Sequence, residues 1–471
     1  MSRNILLVEP DYKTKFPPLG LMKISSYHKL LGDTVHFVKG CKVENLFNYW
    51  DRIYVTSLFT FNWKTTIDTI NFYKNNILHG DTSRILAGGI MASLMAEEVW
   101  KTTGIVPHQG VINKPGMVGD DNDLVIDEMI PDYDLFNGGN YNYNLLDSYF
   151  GYSTRGCIRK CKFCGVHKLE PNFVEYKGLK PFVQKVIEKF GEKQHLVLFD
   201  NNILASKHFK KIIHDIMDLG FKKGDKLNNR VRYVDFNQGT DAFLLKKDFV
   251  QLISQINIHP LRIAFDSIKD KNVYCQKVKM AGECGIRHLS NYILYNFNDG
   301  PADLWERLKI NIDLNKQFDL SIYSFPMKYI PLNAKDRSFI NQPNWNWLFL
   351  RNVHRILNVL KGSVMTGEDF FYRAFGRDVD EFEMILHMPE NIIMYRGKQP
   401  KSEEKNWVKL FKKLTSLQKN NLIKILSENR KRDELRNAYV KLSDGKIKKI
   451  LEYYMPFEKN NTLPLFDSGD N

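Results

Sequence analysis

Three closely spaced cysteines constrain this chain more than any other feature of its sequence. Cys157, Cys161 and Cys164 stand at C-x3-C-x2-C spacing in one short segment, and they are three of the six cysteines in 471 residues. Thiolates separated by two or three residues can reach neighbouring irons of one iron-sulfur cluster without straining the backbone. Three protein ligands for four irons leave one iron open. The spacing therefore predicts a 4Fe-4S cluster with a coordination position for a small molecule.

A zinc site is the alternative that the same segment allows. His167 follows Cys164 by three positions and would complete a Cys3His ligand set. On this alternative the chain would be a non-catalytic binding protein stabilised by zinc. The following sequence favours the cluster, because it alternates strand and helix patterns as a barrel does, and a zinc knuckle needs no barrel.

The cysteine segment, with Phe163 directly before its third cysteine, resembles the cluster loop of the radical S-adenosylmethionine (radical SAM) superfamily. In that family the open iron binds SAM, and an electron from the cluster cleaves SAM to a 5'-deoxyadenosyl radical. The resemblance implies an enzyme, an oxidoreductase or transferase, that abstracts hydrogen from its substrate. It also implies SAM as cofactor and an external electron donor such as flavodoxin or ferredoxin.

The first 145 residues predict a doubly wound parallel sheet, because short apolar runs alternate with amphipathic segments. The runs are residues 5–8, 35–38, 53–56, 85–87 and 105–106. Ligands of such sheets bind at the carboxyl ends of the strands, where Gly20, Ser57, Gly88 and Gly89 stand. These small residues resemble the cobalamin-binding type of domain that precedes many radical SAM barrels.

That second resemblance implies bound cobalamin, and it implies a cobalamin-dependent methyltransferase as an alternative function. Two departures count against a direct transfer of the ligand. The Asp-x-His-x-x-Gly motif that supplies an axial histidine does not occur, and the usual acidic, glycine-rich turn is replaced by His108, Gln109 and Gly110. A vestigial or repurposed domain therefore remains an alternative, since a doubly wound sheet alone does not define its ligand.

Residues 146–335 predict a partial (β/α)6 radical SAM barrel. Six strand candidates alternate with helix signals, at residues 149–154, 195–200, 231–237, 261–266, 289–294 and 321–326. Active sites of parallel barrels lie at the carboxyl ends of the strands, and the cysteines follow the first strand directly. Residues 336–471 predict a basic, mainly helical domain, with apolar residues at three and four spacing in 417–426 and 447–454.

Polar residues at the ends of the predicted barrel strands are candidates for SAM binding, and their roles come from the family resemblance. Phe163 would meet the adenine ring, Asp200 the amino group and Arg262 the methionyl carboxylate. The alternative for Arg262 is that its side chain points outward from the strand and does not contact SAM. The full set of predicted SAM contacts is Phe163, Asp200, Asn201, Asn237, Gln238, Arg262, Asp266 and Ser267.

The net charge of +14 is concentrated near the C-terminus. Residues 401–460 carry 16 Lys or Arg against 8 Asp or Glu. Such an excess is typical of a surface for nucleic acid, but it is equally typical of a solvated helical face. Residues 462–466 in the tail are similar to short peptides that dock on the bacterial sliding clamp, and a tail packed on its own domain is the alternative.

The sequence predicts a cytoplasmic protein. No apolar run reaches the roughly 18 residues that a membrane helix needs, and the apolar stretch after Met1 is too short for a signal peptide. The remaining cysteines, Cys41, Cys275 and Cys284, are scattered without metal-ligand spacing. Isolated thiols of this kind are typical of a reducing compartment.

Overall fold

The computed structural model describes residues 2–139, 141, 143–397 and 400–455. The chain divides into two compact units. The first unit comprises Met1–Arg262, Cys284–Ile286 and Ile330–Phe339, and the second comprises Ile263–Glu283, Arg287–Tyr329 and Ile340–Asn471. The boundaries of these units differ from the predicted domain boundaries at residues 145 and 335. The division into three domains stays a prediction.

The first unit opens with a four-stranded parallel sheet, as predicted. Its strands are β1 (Asn4–Glu9), β2 (Thr34–Lys39), β3 (Arg52–Ser57) and β4 (Ile85–Gly89), in the order β2-β1-β3-β4. The helices between and after them are α1 (Leu19–Leu30), α2 (Trp63–Phe72), α3 (Ile90–Leu94) and α4 (Ala96–Thr103). Leu6 and Val8 pack in one apolar cluster, and Ile5 and Leu7 pack in another. Both faces of the central strand are therefore buried, which explains its continuous apolar sequence.

The predicted fifth strand at residues 105–106 is wrong. In the part of the chain that the structure describes, no strand follows β4 until residue 148. The backbone N–H of His108 donates to the carbonyl of Ala87 at 2.8 Å. The segment therefore contacts β4, but it forms no strand ladder with it.

All six strands predicted for the barrel are present. They are β5 (Ser148–Gly151), β6 (His195–Leu198), β9 (Val234–Phe236), β10 (Leu261–Arg262), β11 (His288–Tyr295) and β12 (Ser321–Lys328). A short hairpin of β7 (Lys226–Leu227) and β8 (Arg230–Val231) was not predicted. In the first unit, β5, β6 and β9 form a parallel sheet in that order. In the second unit, β11 and β12 pair in parallel.

Four helices of the first unit lie in this region, and β10 belongs to the first unit whereas β11 belongs to the second. These helices are α5 (Val166–Leu169), α6 (Leu179–Phe190), α7 (Phe209–Ile216) and α8 (Lys247–Ile253). The observed architecture is thus mixed α/β with parallel sheets, while closure of six strands into one barrel stays a prediction.

The second unit is mainly helical around a large apolar core. Its helices are α9 (Lys271–Glu283), α10 (Pro301–Phe318), α11 (Trp347–Val359), α12 (Glu368–Phe375), α13 (Val379–Leu386), α14 (Glu390–Met394), α15 (Ser402–Phe411), α16 (Ser416–Glu428), α17 (Arg432–Lys441) and α18 (Gly445–Leu451). Trp345, Phe371, Phe382 and Trp407 are buried in that core. The helical character predicted for the end of the chain is therefore confirmed for the described residues.

A buried arginine ties α10 to the end of β11. Arg307 is 0% exposed, and its Nη2 donates to Oδ2 of Asp299 at 2.6 Å. Its Nη1 donates to the carbonyl of Leu294 at 2.8 Å, and Trp345 donates its indole N–H to Asp299 at 3.2 Å. Burial raises the pKa of Asp299 and lowers the pKa of Arg307. Each charge is stable in the interior only because the other is present.

The basic segment forms helices α15 to α18 as far as residue 455. Most of its lysines are exposed, and a role in binding nucleic acid stays a prediction. The clamp-like residues 462–466 lie outside the described residues. None of the described helices combines the length and the apolar character that crossing a lipid bilayer requires.

Candidate cluster loop and ligand cavity

The cysteine loop follows the carboxyl end of β5, as predicted. β5 ends at Gly151, and α5 begins at Val166, directly after the loop. All three loop cysteines are partly exposed. The backbone N–H of Cys164 donates to the carbonyl of Cys161 at 3.0 Å, which closes a tight turn between these two cysteines.

Two N–H groups point at the first cysteine sulfur. The backbone N–H of Arg159 lies 3.3 Å from Sγ of Cys157, and the side-chain amide of Asn202 donates to the same sulfur at 3.6 Å. Such donors stabilise a thiolate and tune the potential of a cluster that it binds. The amide oxygen of Asn202 is buried, and no described residue bonds to it. Three soft thiol ligands with donors aimed at one of them fit an iron-sulfur cluster.

The zinc alternative stays a prediction. Among the described residues, no group of three or more His, Cys, Asp or Glu is arranged to hold a metal ion. That finding applies to the three loop cysteines as much as to a Cys3His set, so it does not decide between the two.

The start of the cysteine loop is held by Asp200. This carboxylate lies two residues beyond the end of β6 and is 1% exposed. It accepts hydrogen bonds from the backbone N–H and hydroxyl of Ser153, and from the same two groups of Thr154. Burial raises the pKa of Asp200, and the bonds from Ser153 and Thr154 oppose that shift. The predicted contact with the SAM amino group stays a prediction that these existing bonds do not favour.

Glu170 holds the loop from its other side. Its Oε2 accepts from the backbone N–H of Gly156 at 2.6 Å and from the amide of Asn201 at 3.2 Å, and its Oε1 pairs with Arg155 at 3.1 Å. Asn201, predicted to contact SAM, therefore contacts Glu170, one of the two carboxylates that hold the cysteine loop. The residues immediately before Cys157 are thus fixed from both ends by carboxylates.

Only glycine fits at position 156, where Glu170 holds the loop backbone. Its φ is +73°, and a Cβ atom there would lie 2.4 Å from the carbonyl oxygen of Asn172. We expect Gly156→Ala to lower the free energy of unfolding by about 1 to 3 kcal/mol, the usual range for a residue forced into a strained backbone conformation. Chemical denaturation and iron content after reconstitution measure the two effects. Gly191→Ala is the control, because Gly191 also has a positive φ but has open space at its Cβ position.

An arginine of the loop is bound to the segment after β9. Arg159 donates to both carboxylate oxygens of Asp241 at 2.7 and 3.1 Å, and its guanidinium lies 5.3 Å from the ring centre of Phe243. Asp241 holds the pKa of Arg159 above its usual value. The pair brings the loop and the end of β9 together at the same edge of the sheet.

The remaining predicted SAM residues have partners of their own. Arg262 donates from Nε and Nη2 to the two oxygens of Asp235, both at 2.8 Å, so its predicted contact with the SAM carboxylate competes with this pair. Gln238 donates to Asn237 at 3.1 Å, and Phe163 is half-buried.

Two predicted residues lie in the second unit. Ser267 accepts from the backbone N–H of Lys269 at 3.2 Å, which caps the turn before α9, and the carbonyl of Asp266 accepts from Arg307 at 3.2 Å. The contacts of all eight residues with SAM stay predictions.

The first unit also contains a cavity of about 210 Å³ at the carboxyl ends of β3 and β4. Its walls are mainly apolar side chains and glycines, including Leu21, Val55, Gly88 and Ile112. This is the edge of the sheet at which ligands of doubly wound folds bind. The predicted ligand edge is therefore concave.

A buried cluster of charges lies at one end of the cavity, where Lys23, Asp127 and Arg155 line it. Nζ of Lys23 lies 3.1 Å from Asp127, and Arg155 and Lys177 pair with the same carboxylate at 3.6 and 2.6 Å. Burial lowers the pKa of Lys23 to about 8, and Asp127 opposes that shift. Arg155 also pairs with Glu170. The cluster therefore contains three cations, Lys23, Arg155 and Lys177, and two carboxylates, which is an excess of one positive charge.

Sequence reasoning did not predict that Ser153, Thr154 and Glu170 take part in the hydrogen bonds that hold the cysteine loop. A signal for the first two exists, because Gly151 of β5 pairs in register with Leu198 of β6. Residues two positions beyond these, 153 and 200, must then meet at the edge of the sheet. The hydrogen bond that Glu170 accepts from Gly156 depends on how the chain turns back after α5. That turn cannot be predicted from the periodicity of the sequence.

No protein-family model and no curated protein sequence matches this chain. Solved structures do. The structure of TsrM from Kitasatospora setae, a radical S-adenosylmethionine methyltransferase with cobalamin and a [4Fe-4S] cluster bound, superposes with a TM-score of 0.50 at 14% identity over 71% of this chain and 77% of that chain. OxsB, a cobalamin-dependent S-adenosylmethionine radical enzyme with aqua-cobalamin bound, gives 0.46 at 15% identity over 66% and 52%. The similarity to TsrM shows that this chain has the fold of a radical SAM enzyme, which confirms the resemblance at the level of the fold.

Proposed function

We propose that this protein is a radical SAM enzyme that binds one 4Fe-4S cluster through Cys157, Cys161 and Cys164 and cleaves SAM reductively. The observation that carries the proposal is the cysteine loop at the carboxyl end of β5, with N–H donors aimed at Cys157 and with the fold of a radical SAM enzyme around it. The bound cluster would supply one electron to SAM, which breaks to methionine and a 5'-deoxyadenosyl radical that takes hydrogen from the substrate.

The residues of this chain have defined tasks in that reaction. The thiolates of the three cysteines would hold three irons and leave the fourth open for SAM. Asp200 and Glu170 hold the backbone before Cys157, and the pair of Arg159 with Asp241 holds the backbone after it. The electron comes from an external donor of the flavodoxin or ferredoxin class. Fixing the loop reduces the motion that would misplace the open iron.

The test is SAM cleavage by anaerobically reconstituted protein. We expect the reduced wild type to form 5'-deoxyadenosine, and we expect Cys161→Ala to form none, because the variant cannot hold the cluster. Cys284→Ala is the matched control, since Cys284 is also partly exposed but lies outside the loop. Iron and sulfide analysis accompanies each assay. One zinc per chain with neither iron nor sulfide would contradict the proposal and support the zinc-stabilised binding protein.

A second candidate is a cobalamin-dependent methyltransferase, and the cavity of the first unit favours it. An apolar cavity of about 150 Å³ accepts benzene, so about 210 Å³ is enough for one aromatic group of a ligand whose remainder lies outside the cavity. Bound cobalamin would supply a cobalt centre that relays a methyl group from SAM to the substrate. Protein produced with cobalamin supplied should then carry its absorption spectrum after gel filtration and release S-adenosylhomocysteine during turnover. Protein that lacks the cobalamin spectrum but still forms 5'-deoxyadenosine would leave the first candidate alone.

A further inference from the structure

The exterior of the cysteine loop carries a net positive charge. Residues 156–168 contain Arg159, Lys160, Lys162 and Lys168 but neither Asp nor Glu. These four basic side chains are exposed. Glu170 and Asp241, which contact this segment, are largely buried, and each pairs with an arginine. The positive charge of Lys160 and Lys162 is therefore presented to solvent.

Two apolar side chains are exposed beside these cations. Ile158 is 54% exposed, and Phe243 is 53% exposed. The guanidinium of Arg159 lies 5.3 Å from the ring centre of Phe243, so the cysteine loop and the segment after β9 contact each other at the surface. We call Ile158, Arg159, Lys160, Lys162 and Phe243 the loop face. Exposed apolar residues among charges of one sign indicate a surface for a protein of opposite charge.

The loop face is one hydrogen bond away from the first loop cysteine. The backbone N–H of Arg159 lies 3.3 Å from Sγ of Cys157, and Ile158 is the residue between them. On the proposed function, that sulfur would hold an iron of the cluster. Because electron transfer between proteins slows steeply with distance, a partner that binds the loop face would be well placed to reduce the cluster.

We propose that the loop face is the docking surface of an acidic one-electron carrier protein, and that the electron for SAM cleavage enters across it. The proposal rests on the proposed function, because it names the surface on which the cluster receives its electron. The carrier is oxidised by one electron and the cluster is reduced by one electron. No proton or atom is transferred in this step.

A nucleic acid is the other common partner of a positive surface, and the loop face fits it less well. Proteins that neutralise a phosphate backbone make about 6 to 10 phosphate contacts. The loop face has three cations, and Arg159 is held by Asp241. Electron-transfer partners form small interfaces, below about 1,200 Å², for which a face of this size is sufficient.

The test compares two reductants of the reconstituted full-length protein. One is a flavodoxin of strongly negative net charge, and the other is dithionite, which needs no docking surface. We expect the double variant Lys160→Glu, Lys162→Glu to lower the rate constant for cluster reduction by flavodoxin about 10- to 100-fold at low salt, because it removes electrostatic steering. The difference should shrink at about 1 M salt, where the Debye length is about 3 Å. Dithionite should reduce the cluster of the double variant to the same extent as that of wild type.

Two further variants test the apolar part and the specificity of the effect. Phe243→Ser removes an exposed apolar side chain and should weaken flavodoxin binding at high salt as well as at low salt, since apolar contacts are not screened. Lys185→Glu reverses an exposed lysine of α6 outside the loop face and should leave both reductions unchanged. The iron content and the thermal transition of each variant are measured first. Binding of oxidised flavodoxin is measured separately, because it does not require a cluster.

Each result supports the docking surface or overturns it. A slower reaction of the double variant with flavodoxin, together with full reduction by dithionite, supports it. Equal rates of wild type and the double variant with flavodoxin overturn it. A protein without a reducible cluster contradicts the proposed function, and flavodoxin binding then decides the surface alone. Salt-dependent binding that the double variant loses supports the surface, and absence of binding overturns it. A single-stranded oligonucleotide that binds the loop face where flavodoxin does not would also overturn it, in favour of nucleic acid.

Discussion

Asp200→Ala is expected to destabilise the first unit and to remove most of the bound iron. The substitution leaves the backbone N–H groups of Ser153 and Thr154 buried without an acceptor. Each unsatisfied buried donor costs about 1 to 3 kcal/mol, so we expect the free energy of unfolding to fall by about 3 to 5 kcal/mol. Urea denaturation measures the loss, and iron content after reconstitution measures the state of the loop.

Two controls separate this effect from a general loss of charge. Asp218→Ala removes a half-exposed carboxylate that pairs with Lys180, and it should change the free energy of unfolding little, because the pair is screened by solvent. Asp200→Asn keeps one carbonyl acceptor and should fall between Asp200→Ala and wild type in both stability and iron. If Asp200→Ala loads iron as well as wild type does, Asp200 does not hold the loop.

Arg307→Met is expected to have the largest effect on the second unit. It keeps an unbranched side chain of similar length but leaves the carboxylate of Asp299 buried without its cation. Breaking a buried ion pair from one side costs about 3 to 5 kcal/mol, because an uncompensated charge remains in the interior. Thermal and urea denaturation of the variant should show a loss of that size.

The double variant Arg307→Met, Asp299→Asn tests the cause. With the carboxylate also neutral, much of the stability should return, since the penalty arises from the lone charge rather than from the missing bonds. A double variant no more stable than Arg307→Met would show instead that the bonds from Arg307 to the carbonyls of Leu294 and Asp266 carry the stability.

The sequence was sufficient to predict most of the strands because their patterns are local. Four apolar runs of the first sheet, six strands after residue 146 and the position of the cysteine loop all follow from alternation and length. The short hairpin of β7 and β8 has strands of two residues each, too short for any periodicity.

The partners of the polar residues could not be predicted in the same way. Asp200 and Arg262 stand at strand ends, and a strand end shows only that a side chain is near the ligand edge. Their bonds to Ser153 and Asp235 depend on which strands are neighbours and in which register.

The bonds from Asp200 to Ser153 and Thr154 also impose an order on biosynthesis. The three cysteines leave the ribosome before residue 200, and at about 5 to 20 residues per second the delay is a few seconds. During that interval the thiols lack the carboxylate that fixes the backbone beside them. On the proposed function, cluster insertion would follow the pairing of β5 with β6, and scarcity of iron at that moment would leave a folded protein with exposed, oxidation-sensitive thiols.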